Sequence, residues 1–297
     1  MAPLIAIPMP HSTDREYGER AIPQYELAVR RAGGEPVRIP LDQSPAAVRQ
    51  GMASCQGVLL PGSNADVDPA KFERQRSPHT AARDSRREEV DFLLLDEAYA
   101  RRKPVLGICY GLQSLNVYRA GSLIQHIPDF LPEATRGKVN HDAGRKVAVA
   151  HTAGIEPNSR FAEVIRGDSR TRLSAGNRPG ATPAARKREG RGLSRADEDA
   201  LPDGASVLAA NALLLPVNSS HHQSAHRIGN GLRIVAHCPD DGIVEGLEGT
   251  SPDHFVLAVQ WHPERSVDDD ASSRNIFRAL VDAAQNWTQG SSFLFAR

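Results

Sequence analysis

The stretch that decides the fold class is VLGICYGLQ, residues 105–113. Its first residues are apolar and typical of a buried strand, and the YGLQSLNVYRAG that follows Cys109 has helical spacing. The cysteine therefore lies on a strand-to-helix turn, where glycines at 107 and 111 leave room for a sharp, strained backbone. On this spacing alone Cys109 is either a small core thiol or a nucleophile held at the end of a strand.

The rest of the first half repeats the alternation of apolar strands and helices. The predicted strands cover residues 4–7, 36–40, 57–63 and 104–108. The predicted helices cover residues 25–34, 44–52, 84–102 and 110–121, and Asp84 is the expected N-cap of the third. Strands that are apolar throughout and separated by helices predict a parallel sheet with both faces covered.

The second half changes character, because strands follow one another with few helices between them. These strands are predicted at residues 146–152, 213–220, 232–239, 242–249 and 255–261, and a last helix at 272–285. The predicted fold is therefore α/β: one domain over residues 1–297, a three-layer sandwich around a mainly parallel central sheet with a few extra antiparallel strands. Residues 166–206, rich in Arg, Gly, Ala and Pro, are predicted to be a mobile insertion.

Composition excludes several classes of function. Lys+Arg and Asp+Glu both number 36, and this balance predicts neither a nucleic-acid nor a membrane partner. The three cysteines are too few and too irregularly spaced for a disulfide framework, which favours a reducing, cytoplasmic location. The N-terminus has no basic region typical of a signal peptide, and no run of about 18 apolar residues predicts a membrane span.

A nucleophilic cysteine needs a base, because only a few per cent of an ordinary thiol is ionised at neutral pH. The stretch VLAVQWHPERS, residues 256–266, places His262 and Glu264 just past a predicted strand, with Pro263 fixing the chain between them. Glu264 can then orient the imidazole and stabilise its charged form. Taken alone, the pair is equally consistent with a turn histidine beside a solvated carboxylate.

Together, the strand–GxCxGxQ–helix and the strand–WHPE resemble the class I glutamine amidotransferase family, whose fold is flavodoxin-like. Further segments resemble its gamma-glutamyl-gamma-aminobutyrate hydrolase group, the C26 peptidases. These segments are VLLPGSNADVDPAKF (58–72), RDSRREEVDFLLLDEA (83–98), GSLIQHI (121–127) and VNSSHHQS (217–224). The last is the most discriminating, because amidotransferase domains of biosynthetic synthetases usually lack it.

The resemblance implies a Cys-His-Glu triad made of Cys109, His262 and Glu264. The backbone N–H of Tyr110, with that of Gly62 or Ser63, would bind the oxyanion. Further residues are implied to bind the glutamyl group, line the pocket or brace it: Gln113, Asn218, Ser219, His221 and Gln223. The sequence departs from the group at Tyr110, where many members carry Arg, at Ser63, where glycine is frequent, and in the insertion.

Other polar clusters are weaker candidates. His222 and His226 are four residues apart and lie close to His221, but no cysteine or carboxylate near them in the sequence completes a metal-ligand set. Asp66 and Asp68 match only the beginning of a calcium loop. We therefore expect no metal and no organic cofactor.

The function expected from the resemblance is hydrolysis of a small gamma-glutamyl amine, such as gamma-glutamyl-gamma-aminobutyrate. A cysteine thioester intermediate would release glutamate and an amine, as in amine or polyamine catabolism. One alternative is a glutaminase subunit that supplies ammonia to a separate synthase, and another is a non-catalytic binding protein on the same fold. The expected partner is the small-molecule substrate, and the chain is a candidate homodimer.

Overall fold

The computed structural model describes residues 1–167 and 212–294, with side chains to residue 287. Apart from Arg166 and Gly167, the predicted insertion at 166–206 lies outside the described residues. The described strands are β1 (Leu4–Pro8), β2 (Glu35–Ile39), β3 (Gly57–Leu60), β4 (Val105–Ile108), β5 (Leu123–Ile124), β6 (His151–Ile155), β7 (Leu213–Val217), β8 (Ser224–Ala225), β9 (Leu232–His237), β10 (Val244–Gly249) and β11 (Val256–Val259).

Helices separate most of the early strands. They are α1 (Arg15–Arg31), α2 (Pro45–Ser54), α3 (Ser85–Arg101), α4 (Tyr110–Tyr118), α5 (Ile127–Phe130), α6 (Arg160–Arg166) and α7 (Ala271–Leu294). Asp84 caps α3 as predicted, since its side chain accepts a hydrogen bond from the Arg87 N–H. No helix in these residues is long and apolar enough to cross a membrane.

The central sheet has nine strands in the order β2-β1-β3-β4-β11-β10-β9-β6-β7. The first five are parallel neighbours, and β10, β9, β6 and β7 extend the sheet by antiparallel pairing. This arrangement confirms the predicted α/β class, with a mainly parallel core and extra antiparallel strands from the second half. A separate small sheet pairs β5 with β8.

The sheet lies between two layers of helices. Successive residues of a strand point to opposite faces of the sheet, so one strand packs against both layers. In β1, Ile5 and Ile7 pack in the cluster with α1, α6 and α7, and Ala6 packs in the cluster with α2, α3 and α4. In β3, Leu59 packs in the first of these clusters, and Val58 and Leu60 pack in the second. Every residue of β3, β4 and β11 is buried, which explains their unbroken apolar sequences.

Three predicted elements differ from the structure, and one of them is the last helix, predicted at 272–285, which runs to Leu294. Helix α1 begins at Arg15 rather than Tyr25, because Asp14 caps it, and Pro23 lies inside the helix. The strand predicted at 146–152 instead begins at His151 and runs to Ile155. The alternating Val147 and Val149 that suggested the earlier start are about half exposed, so their pattern marks no buried face.

Candidate active site

Cys109 occupies the turn between β4 and α4 in a conformation that side chains rarely adopt, with φ 53° and ψ −107°. Its N–H donates a hydrogen bond of 2.8 Å to the Val259 carbonyl, which ties the turn to the end of β11. The strained backbone is held by this contact and by the buried strand and helix on either side. Such strain is characteristic of functional turns.

The two flanking glycines are required by space. A Cβ at Gly107 would lie 2.8 Å from the Gly111 carbonyl carbon, and one at Gly111 would lie 2.1 Å from the Leu60 carbonyl oxygen. Both distances are shorter than real Cβ contacts, so any larger residue would push β3, β4 and α4 apart. The close approach explains the Gly-x-Cys-x-Gly pattern from which the turn was predicted.

His262 and Glu264 follow β11, the parallel neighbour of β4, so they reach the same edge of the sheet as Cys109. The Nδ1 atom of His262 lies 2.8 Å from Oε1 of Glu264, and both side chains are buried. Pro263 opens a single 3-10 turn, Pro263–Arg265, that brings the two side chains together. The structure thus assembles the three residues that the sequence singled out from distant parts of the chain.

The electrostatics of the pair favour a charged imidazole. Burial lowers the pKa of His262, but the Glu264 carboxylate and the nearby Cys109 outweigh it and raise this pKa to about 9. For Glu264, burial raises the pKa, but His262 more than offsets it, so the pKa of the carboxyl lies below its ordinary value. At neutral pH the site therefore favours imidazolium beside carboxylate.

Asn218 braces the histidine from the backbone side. Its Nδ2 donates to the His262 carbonyl at 2.9 Å, and its Oδ1 accepts from the His262 N–H at 3.0 Å. This reciprocal pair fixes the chain at His262 without touching the imidazole. Asn218 is one of the residues predicted to line or brace the site, and its geometry is that of a brace.

The two candidate oxyanion donors in the turn after β3 differ in availability. The Gly62 N–H already donates to the Tyr25 hydroxyl at 3.0 Å, whereas the N–H groups of Ser63 and Tyr110 have no acceptor within the described residues. A Cβ at Gly62 would lie 3.0 Å from Cε1 of His262, so this glycine allows the close approach of the imidazole. Ser63 is therefore the available donor beside Tyr110.

The Tyr110 side chain, at the position where the sequence departs from the group, is not among those that line the cavity. It is buried among apolar side chains that include Val67, Phe72 and Leu123, and the Arg87 guanidinium lies 4.9 Å from its ring centre. Its place at the start of α4 leaves the backbone N–H on the Cys109 side of the turn and directs the ring into the core. Only its backbone remains a candidate for binding substrate.

The other predicted substrate residues lie behind the cavity wall. Gln113 donates to the Gln223 carbonyl at 3.2 Å and is nearly fully buried, so it links α4 to the segment before β8. The Ser219 hydroxyl donates to Glu245 Oε2 at 3.4 Å, and His221 Nε2 lies near the same carboxylate. None of these four residues is among those that line the cavity at His262.

The cavity itself has a volume of about 450 Å³ and a polar lining that includes three arginines. Cys109 is not a lining residue but lies next to the lining residue His262, since a Cβ at Gly62 would be 3.0 Å from Cε1 of His262 and 3.7 Å from Cβ of Cys109. The lining residues are Tyr17, Arg20, Ala21, Gln24, Tyr25, Ser63, Asn64, Gly144, Arg145, Ser220, His262, Glu264 and Arg265. The charged side chains of the lining include three arginines and one carboxylate, so the cavity is suited to an anionic group.

Most of this lining was missed by sequence reasoning. Tyr17 and Arg20 lie in the first half of α1, in a stretch where the sequence predicted no helix. Arg265 directly follows the WHPE stretch and could have been found from its position, whereas Arg145 comes from a loop with no motif. The three cysteines are all buried, and none of them forms a disulfide. Burial raises the pKa of Cys55 and of Cys238.

Comparison with known proteins agrees with this geometry. The family model of peptidase C26 matches residues 3–175 and 202–264, which include the cysteine turn and the His-Glu pair. The chain belongs to the peptidase C26 family. In this chain the cysteine turn follows β4, and the histidine follows β11, which is adjacent to β4 in the sheet.

Relatives of this C26 chain carry amidotransferase and hydrolase names. A protein of Rickettsia prowazekii (strain Madrid E), provisionally named glutamine amidotransferase-like, is 30% identical over 88% of each chain. The gamma-glutamyl-gamma-aminobutyrate hydrolase PuuD of Escherichia coli (strain K12) is 27% identical over 89% of this chain and 85% of its own.

A solved structure shows the same fold. The glutaminase domain of Trypanosoma brucei CTPS, with bound acivicin, superposes with a TM-score of 0.52 at 16% identity. The match covers 96% of this chain and 94% of that domain. The likeness is one of fold.

Proposed function

We propose that this C26 protein hydrolyses the gamma-glutamyl amide bond of a small gamma-glutamyl amine, with Cys109 as nucleophile. The observation that supports the proposal best is the strained cysteine turn next to a histidine whose Nδ1 contacts Glu264. An amidohydrolase is also what the family and the hydrolase-named relatives indicate. Amine or polyamine catabolism is a pathway in which such an activity would serve.

The first half of the reaction transfers the glutamyl group to sulfur. The Cys109 thiolate attacks the gamma-carbonyl carbon, forming a C–S bond and a tetrahedral oxyanion. As the oxyanion collapses, the C–N bond breaks and His262 gives its Nε2 proton to the leaving amine. Glu264 keeps the other ring nitrogen protonated and oriented, so only Nε2 exchanges a proton with substrate.

The second half releases glutamate. Neutral His262 takes a proton from a water molecule as that water attacks the thioester carbonyl, and the C–S bond then breaks to regenerate the thiolate and imidazolium. In both halves the N–H groups of Ser63 and Tyr110 are the donors available for the oxyanion, and Tyr110 is the first residue of α4, whose positive end favours negative charge.

The charge of the cavity fits the glutamyl group. A gamma-glutamyl amide carries an alpha-carboxylate, and Arg20, Arg145 and Arg265 line the cavity beside His262. Arginine binds carboxylates with paired hydrogen bonds. We expect these residues to bind the alpha-carboxylate of the substrate and so to place the gamma-carbonyl over Cys109.

A panel of gamma-glutamyl amides, including glutamine, tests the proposal through the rate of glutamate release. We expect turnover of gamma-glutamyl amines by the wild-type chain and its loss in Cys109→Ala, while the matched Cys55→Ala variant keeps most of the activity. A strong preference for glutamine would indicate a glutaminase subunit instead. Absence of turnover on every amide would indicate a binding protein.

A further inference from the structure

A second polar cluster lies beside the active site and is almost completely buried. Its members are His141, His151, His221 and Glu245, which come from a loop, from the start of β6, from the segment between β7 and β8, and from β10. None is more than 8% exposed. The proposed reaction uses none of these side chains, although burying four such groups is costly unless something satisfies them.

The four side chains point one atom each at a common centre. Oε1 of Glu245 lies 3.1 Å from Nδ1 of His141, 3.2 Å from Nε2 of His151 and 3.4 Å from Nε2 of His221. All four atoms lie within 4.8 Å of one another. None of them has a hydrogen-bond partner of acceptable geometry within the described residues. Four buried, unpartnered atoms thus face a single point.

The spacing is that of a metal-ligand set. Zinc binds histidine nitrogens and carboxylate oxygens at about 2.0–2.2 Å in a tetrahedron, whose corners are then about 3.3–3.6 Å apart. The three distances from Glu245 lie at or just below this range. The remaining distances, between the three histidine nitrogens, are no longer than 4.8 Å.

The outward ring nitrogens are held as they are in metal sites. Nε2 of His141 lies 2.9 Å from Asp241, Nδ1 of His151 lies 3.1 Å from the Thr152 carbonyl, and Nδ1 of His221 lies 2.8 Å from the Gln223 carbonyl. These oxygens accept hydrogen bonds, so each outward nitrogen carries a hydrogen. When the imidazole is neutral, its inward nitrogen presents a lone pair, which is the arrangement that metal-bound histidines show.

The charges also balance around a divalent cation. The carboxylates of Glu245 and Asp241 match the two positive charges of such an ion when all three imidazoles are neutral. We propose that His141, His151, His221 and Glu245 bind one Zn²⁺ ion, with Asp241 orienting His141.

All four coordination positions are filled by protein, so the ion has a structural role. It would fasten the wall of the catalytic cavity. The His221 N–H donates to the His141 carbonyl at 3.0 Å, and the Gly144 N–H donates to the Ser219 carbonyl at 2.8 Å. Asn218, the brace of His262, begins the same segment, and Gly144 and Ser220 line the cavity.

Metal analysis of the full chain, purified without a histidine tag and without chelator, tests the site. We expect about one equivalent of zinc in the wild type and less than about 0.1 in Glu245→Gln. The matched control is His254→Gln, which replaces an equally buried histidine whose Nε2 contacts only the Lys103 carbonyl among the described residues. It should keep the ion, and so should Cys109→Ala, which removes the catalytic thiol as a competing ligand.

The wild type provides a test that does not depend on a variant folding. Removal of zinc by a chelator should lower the Tm, and added Zn²⁺ should restore it, since an ion that binds only the folded chain stabilises it. A chain that contains no zinc and takes up neither Zn²⁺ nor Co²⁺ would overturn the proposal, as would equal zinc in Glu245→Gln and His254→Gln. Cys109→Ala should abolish the proposed hydrolysis but keep the zinc site. The tests can therefore disprove zinc binding without disproving the hydrolysis, and the reverse.

Discussion

Nδ1 of His262 and Oε1 of Glu264 lie 2.8 Å apart, in a buried pair that leaves only Nε2 of the imidazole for Cys109 and substrate. The carboxylate fixes which nitrogen carries the hydrogen and raises the pKa of the imidazole to about 9 despite its burial. The His262–Glu264 pair therefore connects the turn after β11 to the chemistry proposed for Cys109 at the end of β4.

Replacing Glu264 by Gln should lower kcat/KM for a gamma-glutamyl amide by roughly 10²- to 10⁴-fold, because the orienting carboxylate of comparable triads contributes about that much. KM should change little, since Glu264 is needed for proton transfer. Steady-state kinetics measure the effect, with Glu163→Gln, an exposed glutamate of α6, as control. Equal kcat/KM in both variants would show that the pair has no catalytic role.

The pH dependence of stability should show the raised pKa of His262. A group whose pKa is higher in the folded chain than its ordinary 6.5 stabilises the fold fully below pH 6.5, and the contribution is lost as pH rises to about 9. The Tm of the wild type should therefore fall over this range by more than that of His262→Gln. If the two Tm profiles are parallel, the imidazole is not held in its charged form.

Gly111→Ala should destabilise the chain by roughly 2–4 kcal/mol, because its Cβ would meet the Leu60 carbonyl oxygen at 2.1 Å and force β3 and α4 apart. Gly18→Ala is the matched control. Gly18 lies inside helix α1, and a Cβ at this position would be 3.6 Å from Cε of Met9, which is an ordinary van der Waals distance. That change should be neutral or stabilising by up to about 1 kcal/mol. Denaturant unfolding of both variants checks the difference.

Asn218→Ala should remove both hydrogen bonds to the His262 backbone and lower kcat by roughly 10-fold or more, because a displaced imidazole no longer aligns with Cys109. The fold should survive, which circular dichroism can verify. Asn230→Ala, at an exposed turn, is the control. A kcat that is unchanged while KM rises would mean that Asn218 contacts the substrate instead.

The sequence predicted the parts of the fold and site that depend on local pattern. The glycines around Cys109, the cap at Asp84 and the turn at Pro263 each follow from neighbouring residues, and the structure contains all three elements. The contact between Cys109 and His262 is different, because it depends on β4 pairing with β11 across about half of the chain. The resemblance to a family implied that Cys109 and His262 act together, but the strand pairing itself was not predicted.

The features that the sequence did not predict are those that depend on several distant segments. The buried cluster of His141, His151, His221 and Glu245 draws on four elements, and its sequence neighbours His222 and His226 point elsewhere, toward Asp66 and Phe130. The direction of the Tyr110 ring depends on the packing around Arg87. No local periodicity encodes such convergence.

The most direct test of the central claim is the search for a covalent gamma-glutamyl adduct on Cys109. The wild-type chain is mixed with a gamma-glutamyl amide that it hydrolyses, quenched rapidly in acid and digested, and the peptides are analysed by mass spectrometry. We expect one gamma-glutamyl group on the peptide that contains Cys109 and none on those with Cys55 or Cys238. Glutamate release by Cys109→Ala at the wild-type rate, with no adduct in the wild type, would contradict this expectation.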